Sequence, residues 1–190
     1  MLSDLPPLPI TVEPLPYQAR LDPRPLTQID LAVIHCTELP DMAMAREFGE
    51  REVYPSGTGN SGHYYIDRDG TVFQYVPLQR IAHHVKGYNA RAIGIELVNT
   101  GRYPRWHDSR HQAMDEPYTE AQIASLIALL RRLQSELPSL RQIAGHEDLD
   151  RDTAAASDDP TVQVQRKLDP GPLFPWERVL GAVALQRLVP

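Results

Sequence analysis

The feature that most constrains the fold is an alternation of short, strongly apolar runs with segments of helical pattern. The runs IDLAVIHCT (29–37) and AIGIELV (92–98) are rich in β-branched residues and are short, which favours buried strands. Two aromatic and β-branched runs flank Asp69-Gly70 in GHYYIDRDGTVFQYVP (62–77), a pattern typical of a β-hairpin. Strands interleaved with helices predict an α/β fold with one central sheet covered by helices.

The clearest helical pattern runs from Thr119 to Leu137. Thr119 and Gln122 fit a capping box at its start, and Pro138 stops it. Its predicted apolar face is formed by Ile123, Leu126, Ile127, Leu130 and Leu137. Three further segments have weaker patterns. They are a helix over 41–53 capped by Asp41, a short strand or turn over 141–149, and a final helix over 176–188.

Two segments are predicted to lie outside this core. Seven of the 18 prolines fall in the first 25 residues, so we expect residues 1–27 to form an extended, proline-rich extension and residues 28–190 to form the domain. Residues 147–165 are rich in acidic and small residues, which predicts a long mobile loop. Because this loop follows His146, we expect it to frame or cover the site to which His146 belongs.

Composition excludes several classes of protein. A chain of 190 residues with a net charge of −6 lacks the basic face that nucleic acids require. No window approaches the roughly 18 apolar residues of a membrane span. The start has no basic stretch followed by an apolar one, which favours a cytoplasmic location; if the natural start has been trimmed, the cell envelope is the alternative. The single cysteine, Cys36, cannot form an internal disulfide.

Three potential metal ligands stand where predicted elements end. His35 closes an apolar strand, His146 follows the segment IAG, and Asp169 precedes Pro170-Gly171. Two imidazoles and one carboxylate would leave an open fourth position on zinc for water, as in zinc hydrolases. Their spacing matches no local zinc motif, so chance placement of the histidines is the alternative.

Two further residues could take part in chemistry. Glu96 lies inside the apolar run AIGIELV, where a carboxylate is costly unless it is paired, bound to metal or used; an exposed strand position is the alternative. In RKLD (166–169), a strand period of two would place Lys167 and Asp169 on one side. Lys167 would then point into the same site, where a cation could stabilise an oxyanion.

Five stretches together resemble a known family. They are VIHCT, SGHYYIDRDGTVFQYVP, AHHVKGYNARAIGIELVN, IAGHEDL and RKLDPGPLFPW, in that order. In this combination the chain resembles the zinc-dependent N-acetylmuramoyl-L-alanine amidases of the type 2 amidase family, relatives of peptidoglycan recognition proteins, over residues 28–180. The resemblance implies a single central mixed sheet flanked by helices.

The resemblance also implies roles for the candidate residues. His35, His146 and Asp169 would hold Zn²⁺, Glu96 would be the catalytic acid and base, and Lys167 would assist at the tetrahedral intermediate. The recognition-protein branch usually has Cys at the position of Asp169 and Tyr at the position of Gly62. Asp and Gly at these two positions point to the bacterial enzyme branch, which relies on the Glu.

Four residues are candidate substrate contacts. His84 matches a histidine that family members keep near the substrate groove, and the side chains of Arg91, Asn99 and Arg166 suit the carboxylates and amides of a stem peptide. Each of the last three could equally be a solvated surface group. The implied partner is peptidoglycan or a muropeptide fragment, with no nucleic acid and no membrane span, and a monomer is expected.

The implied reaction is zinc-dependent hydrolysis of the amide between N-acetylmuramic acid and L-alanine. Two alternatives remain open at this point. One is a peptidoglycan-binding module that has lost catalysis, and the other is a protein in which the zinc is structural. Three candidate protein ligands, with no fourth Cys or His well placed, favour an open and therefore catalytic site.

Overall fold

The computed structural model describes residues 8–190. The strands, in chain order, are β1 (Ile10–Val12), β2 (Leu31–Cys36), β3 (Tyr64–Ile66), β4 (Val72–Gln74), β5 (Ala92–Leu97), β6 (Gln142–Gly145), β7 (Thr153–Ala155), β8 (Gln163–Gln165) and β9 (Gln186–Arg187). The α-helices are α1 (Met42–Glu50), α2 (Glu120–Glu136), α3 (His146–Leu149) and α4 (Trp176–Ala182). Short 3-10 helices occur at Gln18–Arg20 and Leu26–Gln28.

Seven strands form one mixed sheet in the order β1-β4-β3-β5-β2-β6-β9. Only the β3–β4 hairpin is antiparallel; the other neighbouring pairs in this sheet are parallel. The predicted α/β fold and the predicted hairpin are therefore confirmed. Strands β2 and β5 occupy the centre, and all six residues of β2 are buried, as its apolar sequence predicts.

Helix α2 covers one face of the sheet. The capping box of Thr119 and Gln122 is present, and Ile123, Leu126 and Leu130 are fully buried against the sheet. These three side chains pack with residues such as Ile34 of β2, whose neighbour His35 points to the opposite face because side chains alternate along a strand. The face that carries His35 is therefore the one that helix α2 leaves free.

The N-terminal segment departs from the prediction. From residue 8 onward it belongs to the domain, because β1 pairs with β4 and Leu15, Tyr17 and Leu21 are buried in a second apolar cluster. The expectation that residues 1–27 stay outside the core is wrong for residues 8–27. Large side chains between the prolines supply apolar surface that the sheet can bury. The remainder of that predicted extension, residues 1–7, lies outside the described residues.

Two other segments also differ from their predicted form. Residues 147–165 are not one structureless loop, since they contain most of α3 and an antiparallel hairpin of β7 and β8. The final segment forms a helix only over Trp176–Ala182, after which β9 adds a short edge strand beside β6. A local hairpin in the first segment, and a long-range pairing with β6 in the second, prevail over the composition on which the predictions depended.

Candidate metal centre and active site

The carboxyl ends of three neighbouring parallel strands place three of the candidate residues. Parallel pairing of β2 with β5 sets His35 directly beside Glu96, and pairing of β2 with β6 sets Ile34 beside Gly145, which precedes His146. Open parallel sheets bind ligands at this edge. The register of the sheet therefore brings together residues that are 111 positions apart in the chain.

Asp169 reaches the same edge from an irregular segment. Strand β8 ends at Gln165, so Lys167 and Asp169 do not share a strand, and the predicted strand over RKLD is wrong. The segment is instead held by separate bonds: the Glu147 N–H donates to the Asp169 carbonyl at 3.0 Å, and the Tyr118 hydroxyl donates to the Pro170 carbonyl at 2.6 Å. Both Lys167 and Asp169 still line the same cleft.

The donor atoms of His35, His146 and Asp169 converge in a buried cluster. The Nδ1 atoms of His35 and His146 lie 3.0 Å apart, and Asp169 Oδ2 lies 2.9 Å from the first and 3.1 Å from the second. Ligands of a tetrahedral zinc are separated by about 3.3 Å. The exposed fraction of each of the three residues is 4% or less, and Asp169 Oδ1 is buried without a hydrogen-bond partner among the described residues.

The charge states of the cluster suit a metal. Burial lowers the pKa of His35 to about 4, so its ring is neutral near pH 7, which is the form that ligates metal. Burial opposes ionisation of Asp169, but His146 and His35 hold the pKa of its carboxyl well below the ordinary value. His35 Nε2 lies 2.9 Å from His84 Nδ1. A partner of this kind fixes the tautomer that leaves Nδ1 free for the metal. The residues therefore fit a zinc ion.

Glu96 borders the cluster on the open side. Its carboxylate oxygen lies 4.0 Å from His35 Nδ1, and 14% of its side chain is exposed. Burial and the neighbouring Asp169 raise the pKa of Glu96 well above its ordinary value, while Lys167 acts in the opposite direction. Gly62 leaves room for this side chain, because a Cβ there would lie 2.9 Å from Glu96 Cγ.

A cleft of 590 Å³ opens over the cluster. Clefts of roughly 300–1,000 Å³ accept small organic ligands. His35, Glu96, His146, Lys167 and Asp169 all lie in its wall. None of the residues 147–165 does, so the expectation that this segment covers the site is not supported.

The predicted substrate contacts divide into two pairs. His84 and Arg166 line the cleft, and Arg166 also pairs with Asp150. Arg91 and Asn99 do not line it, and their assignment as substrate contacts is corrected. Arg91 lies at the opposite end of β5, where it makes a bidentate pair with Asp30. The Asn99 side chain bonds to the backbone of Glu116 and Gly101.

Several buried polar residues near the site had no signal in the sequence. His63 is fully buried, accepts the Gly94 N–H at Nδ1, and lies 2.8 Å from Arg24. Glu38 and Arg102 form a buried ion pair beside the cleft. Arg24 belongs to the proline-rich segment and Arg102 to an irregular one, where periodicity gives no information about burial.

The sheet and the cluster define a class, namely α/β proteins with a His-His-Asp centre at the carboxyl edge of the sheet. The chain belongs to the N-acetylmuramoyl-L-alanine amidase family, since the model of that family matches residues 25–172. No helix of residues 8–190 has the length and apolar character needed to cross a membrane.

Individual relatives support the family assignment. The 1,6-anhydro-N-acetylmuramyl-L-alanine amidase AmpD of Salmonella typhimurium is 34% identical over 134 residues, which are 66% of this chain and 58% of the relative. This chain therefore matches less than two thirds of that protein. A crystal structure of an AmpD derivative has a TM-score of 0.65 and 26% identity, covering 92% of this chain and 94% of that one.

A second similar structure contains a bound substrate. It is AmiD from Escherichia coli in complex with anhydro-N-acetylmuramic acid-L-Ala-D-gamma-Glu-L-Lys, with a TM-score of 0.62 and 25% identity. The match covers 82% of this chain and 57% of that chain. The similarity confirms the fold with a central mixed sheet.

Proposed function

We propose that the protein hydrolyses the amide bond between the lactyl group of N-acetylmuramic acid and L-alanine in muropeptides. The observation that carries the proposal is the convergence of His35, His146 and Asp169 donor atoms to about 3 Å beside Glu96, in the wall of a cleft. Family membership and the names of the relatives support the same reaction.

His35, His146 and Asp169 would hold Zn²⁺ in this proposal. Bound zinc would supply a Lewis acid that polarises the amide carbonyl and makes water acidic enough to attack near neutral pH. His84 orients the ring of His35, because His84 Nδ1 lies 2.9 Å from His35 Nε2. The three ligands come from three separate parts of the chain, so their geometry depends on the whole fold.

Glu96 would act as the proton carrier of the reaction. It is mostly buried, lies at the cleft wall, and has a raised pKa, which suits a group that takes a proton from water and returns it to the leaving amine. Lys167 lies in the same wall and would offset negative charge on the oxygen of the tetrahedral intermediate. Arg166 and His84 would contact the rest of the muropeptide.

We further propose a soluble 1,6-anhydro-muropeptide as the substrate. Salmonella typhimurium AmpD has this specificity in its name, and AmiD was captured with an anhydro-muramic peptide. Intact peptidoglycan is the competing substrate. A cytoplasmic location would accompany the soluble substrate and stays a prediction, as does the monomeric state.

The experiment compares the two substrates directly. The purified protein, loaded with zinc, is incubated with soluble 1,6-anhydro-muropeptide and with purified sacculi, and the release of stem peptide is measured. We expect rapid release from the soluble substrate, loss of activity with a chelator, and recovery with zinc. Binding of muropeptide without release would support a recognition module instead. Activity that survives complete removal of zinc would contradict a catalytic metal.

A further inference from the structure

The residues Glu38 and Arg102 form the most deeply buried Arg or Lys ion pair of residues 8–190. The Arg102 side chain is fully buried and that of Glu38 is 10% exposed. The pair is bidentate, with Nε donating to Oε1 at 2.7 Å and Nη2 donating to Oε2 at 2.9 Å. Glu38 Oε1 also accepts the backbone N–H of Arg102 at 3.2 Å.

The guanidinium of Arg102 uses all of its hydrogen-bond capacity. An arginine side chain carries five N–H donors. Two of them go to Glu38, and the others go to Gln112 Oε1 at 3.1 Å, the Gln165 carbonyl at 2.9 Å and the Arg166 carbonyl at 3.3 Å. Arg102 therefore connects the carboxylate of Glu38 to two consecutive carbonyls of another segment.

Those two carbonyls lead directly into the site. Strand β8 ends at Gln165, and Lys167 and Asp169 follow in irregular backbone. Among the described residues, no backbone carbonyl accepts the N–H of Lys167 or the N–H of Leu168. The Tyr118 hydroxyl holds the carbonyl of Pro170 at the far end. Arg102 thus anchors the near side of this segment, together with the Asp152 carbonyl, which accepts the Arg166 N–H at 2.9 Å.

Glu38 connects the pair to the other half of the cluster. It follows His35 by three positions, in the turn after β2, and adopts a left-handed conformation with φ of 49°. Such a conformation costs energy in a non-glycine residue and persists only where the surroundings hold it. Trp106 Nε1 donates to the Glu38 carbonyl at 3.0 Å, which helps to hold it. The ion pair therefore spans from the His35 strand to the Asp169 segment.

Stability alone does not account for this pair. Removing two charges from water is costly, and replacing a buried ion pair by groups of similar volume is often neutral or stabilising. A buried pair whose spare donors fix the backbone of a functional segment has a different use. It sets the position of that segment, and a poorly placed ligand or catalytic group lowers activity strongly.

We propose that Arg102 is a positioning residue of the metal centre. Its guanidinium, oriented by Glu38, fixes the carbonyls of Gln165 and Arg166 and so sets where Asp169 and Lys167 lie relative to His35. The expected effect of Arg102 on turnover rests on the proposed function. Its effect on metal binding does not depend on which substrate the protein hydrolyses.

The first test is Arg102→Lys in the full chain. Lysine keeps the charge beside Glu38 but cannot reach the carboxylate and two carbonyls together, since it lacks the planar fork. We expect zinc affinity, measured by competition with a chromophoric chelator, to fall by up to about tenfold, because Arg102 acts on Asp169 through the backbone and is not a direct partner of a ligand. In the muropeptide assay kcat should fall, because Asp169 and Lys167 are displaced. KM should rise less than kcat falls, since Arg166 is the one proposed substrate contact in the displaced segment.

The second test removes both charges with Glu38→Gln/Arg102→Met. A glutamine at position 38 can still accept the backbone N–H of position 102, and no unpaired charge remains buried. The variant should therefore stay folded, as measured by circular dichroism and thermal unfolding. The same loss of zinc affinity is expected.

The matched control is Arg68→Lys. Arg68 also makes a bidentate carboxylate pair, with Glu116, and donates to the Pro40 carbonyl, but it does not contact residues 165–171.

The outcomes separate this proposal from the proposed function. The positioning role would be overturned if folded Arg102 variants kept a zinc affinity within about twofold of the parent, as the Arg68→Lys control should. A parent protein that binds zinc but hydrolyses no muropeptide would contradict the proposed function, while weaker zinc binding by both Arg102 variants would still support the positioning role.

Discussion

The two halves of the metal centre are built in different ways. His35, Glu96 and His146 stand at or directly after the ends of parallel strands, and the register of β2, β5 and β6 fixes their separation. Asp169 and Lys167 stand in irregular backbone, held by the side chains of Arg102 and Tyr118 and by the backbone N–H of Glu147.

This difference has a physical consequence. The strand half shares its hydrogen bonds and its buried apolar contacts with the whole core, so its geometry is lost only when the domain unfolds. The loop half depends on a few separate hydrogen bonds, each of which contributes about 1 kcal/mol. Substitutions in the loop half can therefore alter the metal centre while the domain remains folded.

The largest expected effect lies in the strand half and concerns chemistry alone. Glu96→Gln removes the proton carrier but keeps the shape of the side chain. We expect kcat for muropeptide hydrolysis to fall by about 10²- to 10⁴-fold, the usual contribution of general acid and base catalysis. Zinc affinity should stay near that of the parent, because Glu96 is not one of the three converging ligands. Steady-state kinetics and chelator competition measure the two quantities.

Glu96→Asp provides the matched control, since it keeps the carboxylate and shortens its reach. Partial activity of Glu96→Asp with almost none in Glu96→Gln would indicate that ionisable oxygen is required. Equal and nearly full activity in both variants would contradict the assignment of Glu96.

The next effect lies in the loop half. Lys167→Ala removes a charge that would meet the oxyanion mainly in the transition state, so kcat should fall about 10²- to 10³-fold while KM changes little. Full steady-state curves with a soluble muropeptide give both constants. A raised KM with intact kcat would show that Lys167 binds the ground state, and the assignment would then be wrong.

The strand half was also the part that the sequence could predict. Short β-branched runs identify β2 and β5, and a His or Glu at the end of such a run is visible without a structure. The capping box of α2 and the hairpin turn at Asp69-Gly70 are equally local signals. Each of these features depends on residues that are close in sequence, which is why pattern reasoning identifies them.

The loop half could not be predicted in the same way. A strand pattern over RKLD placed Lys167 and Asp169 in one site for the wrong reason, because long-range side-chain bonds and not a strand determine their positions. Arg91 was predicted to be a substrate contact. It pairs instead with Asp30, which is 61 positions away in sequence, and both residues lie at the end of the sheet opposite to the site. Contacts between irregular segments leave no periodic trace in the sequence.

A separate effect is expected in the pH dependence of the stability of the domain, to which the buried His63 contributes. Burial, with a further contribution from Arg24, lowers the pKa of His63 from 6.5 to about 3. Between these values the unfolded chain binds one more proton than the folded one. Stability is therefore lost as pH falls from 6.5 toward 3, by up to about 1.4 kcal/mol per pH unit, and is independent of His63 above that range.

Urea unfolding at a series of pH values tests this with His63→Asn. The Asn amide oxygen can take the place of Nδ1 as acceptor for the Gly94 N–H, and it has no proton to gain. We expect a shallower loss of stability below pH 6.5 in this variant. His107→Asn, which changes an exposed histidine, should leave the slope of the parent unaltered. Identical slopes in all three proteins would show that His63 is not the source.

The smallest expected effect is seen by comparing two tyrosine hydroxyls, one beside the loop half and one in the sheet. Tyr118→Phe removes the donor to the Pro170 carbonyl, next to Asp169, and Tyr64→Phe removes a hydroxyl that accepts from Gln74 within the β3–β4 hairpin. Each change should lower the free energy of unfolding by about 1 kcal/mol or less. Only Tyr118→Phe should also weaken zinc binding, by less than the roughly tenfold expected of a direct partner of a ligand. Equal zinc affinity in the two variants would mean that the Asp169 segment keeps its position without this bond, and that Arg102 and the Glu147 N–H are sufficient to hold it.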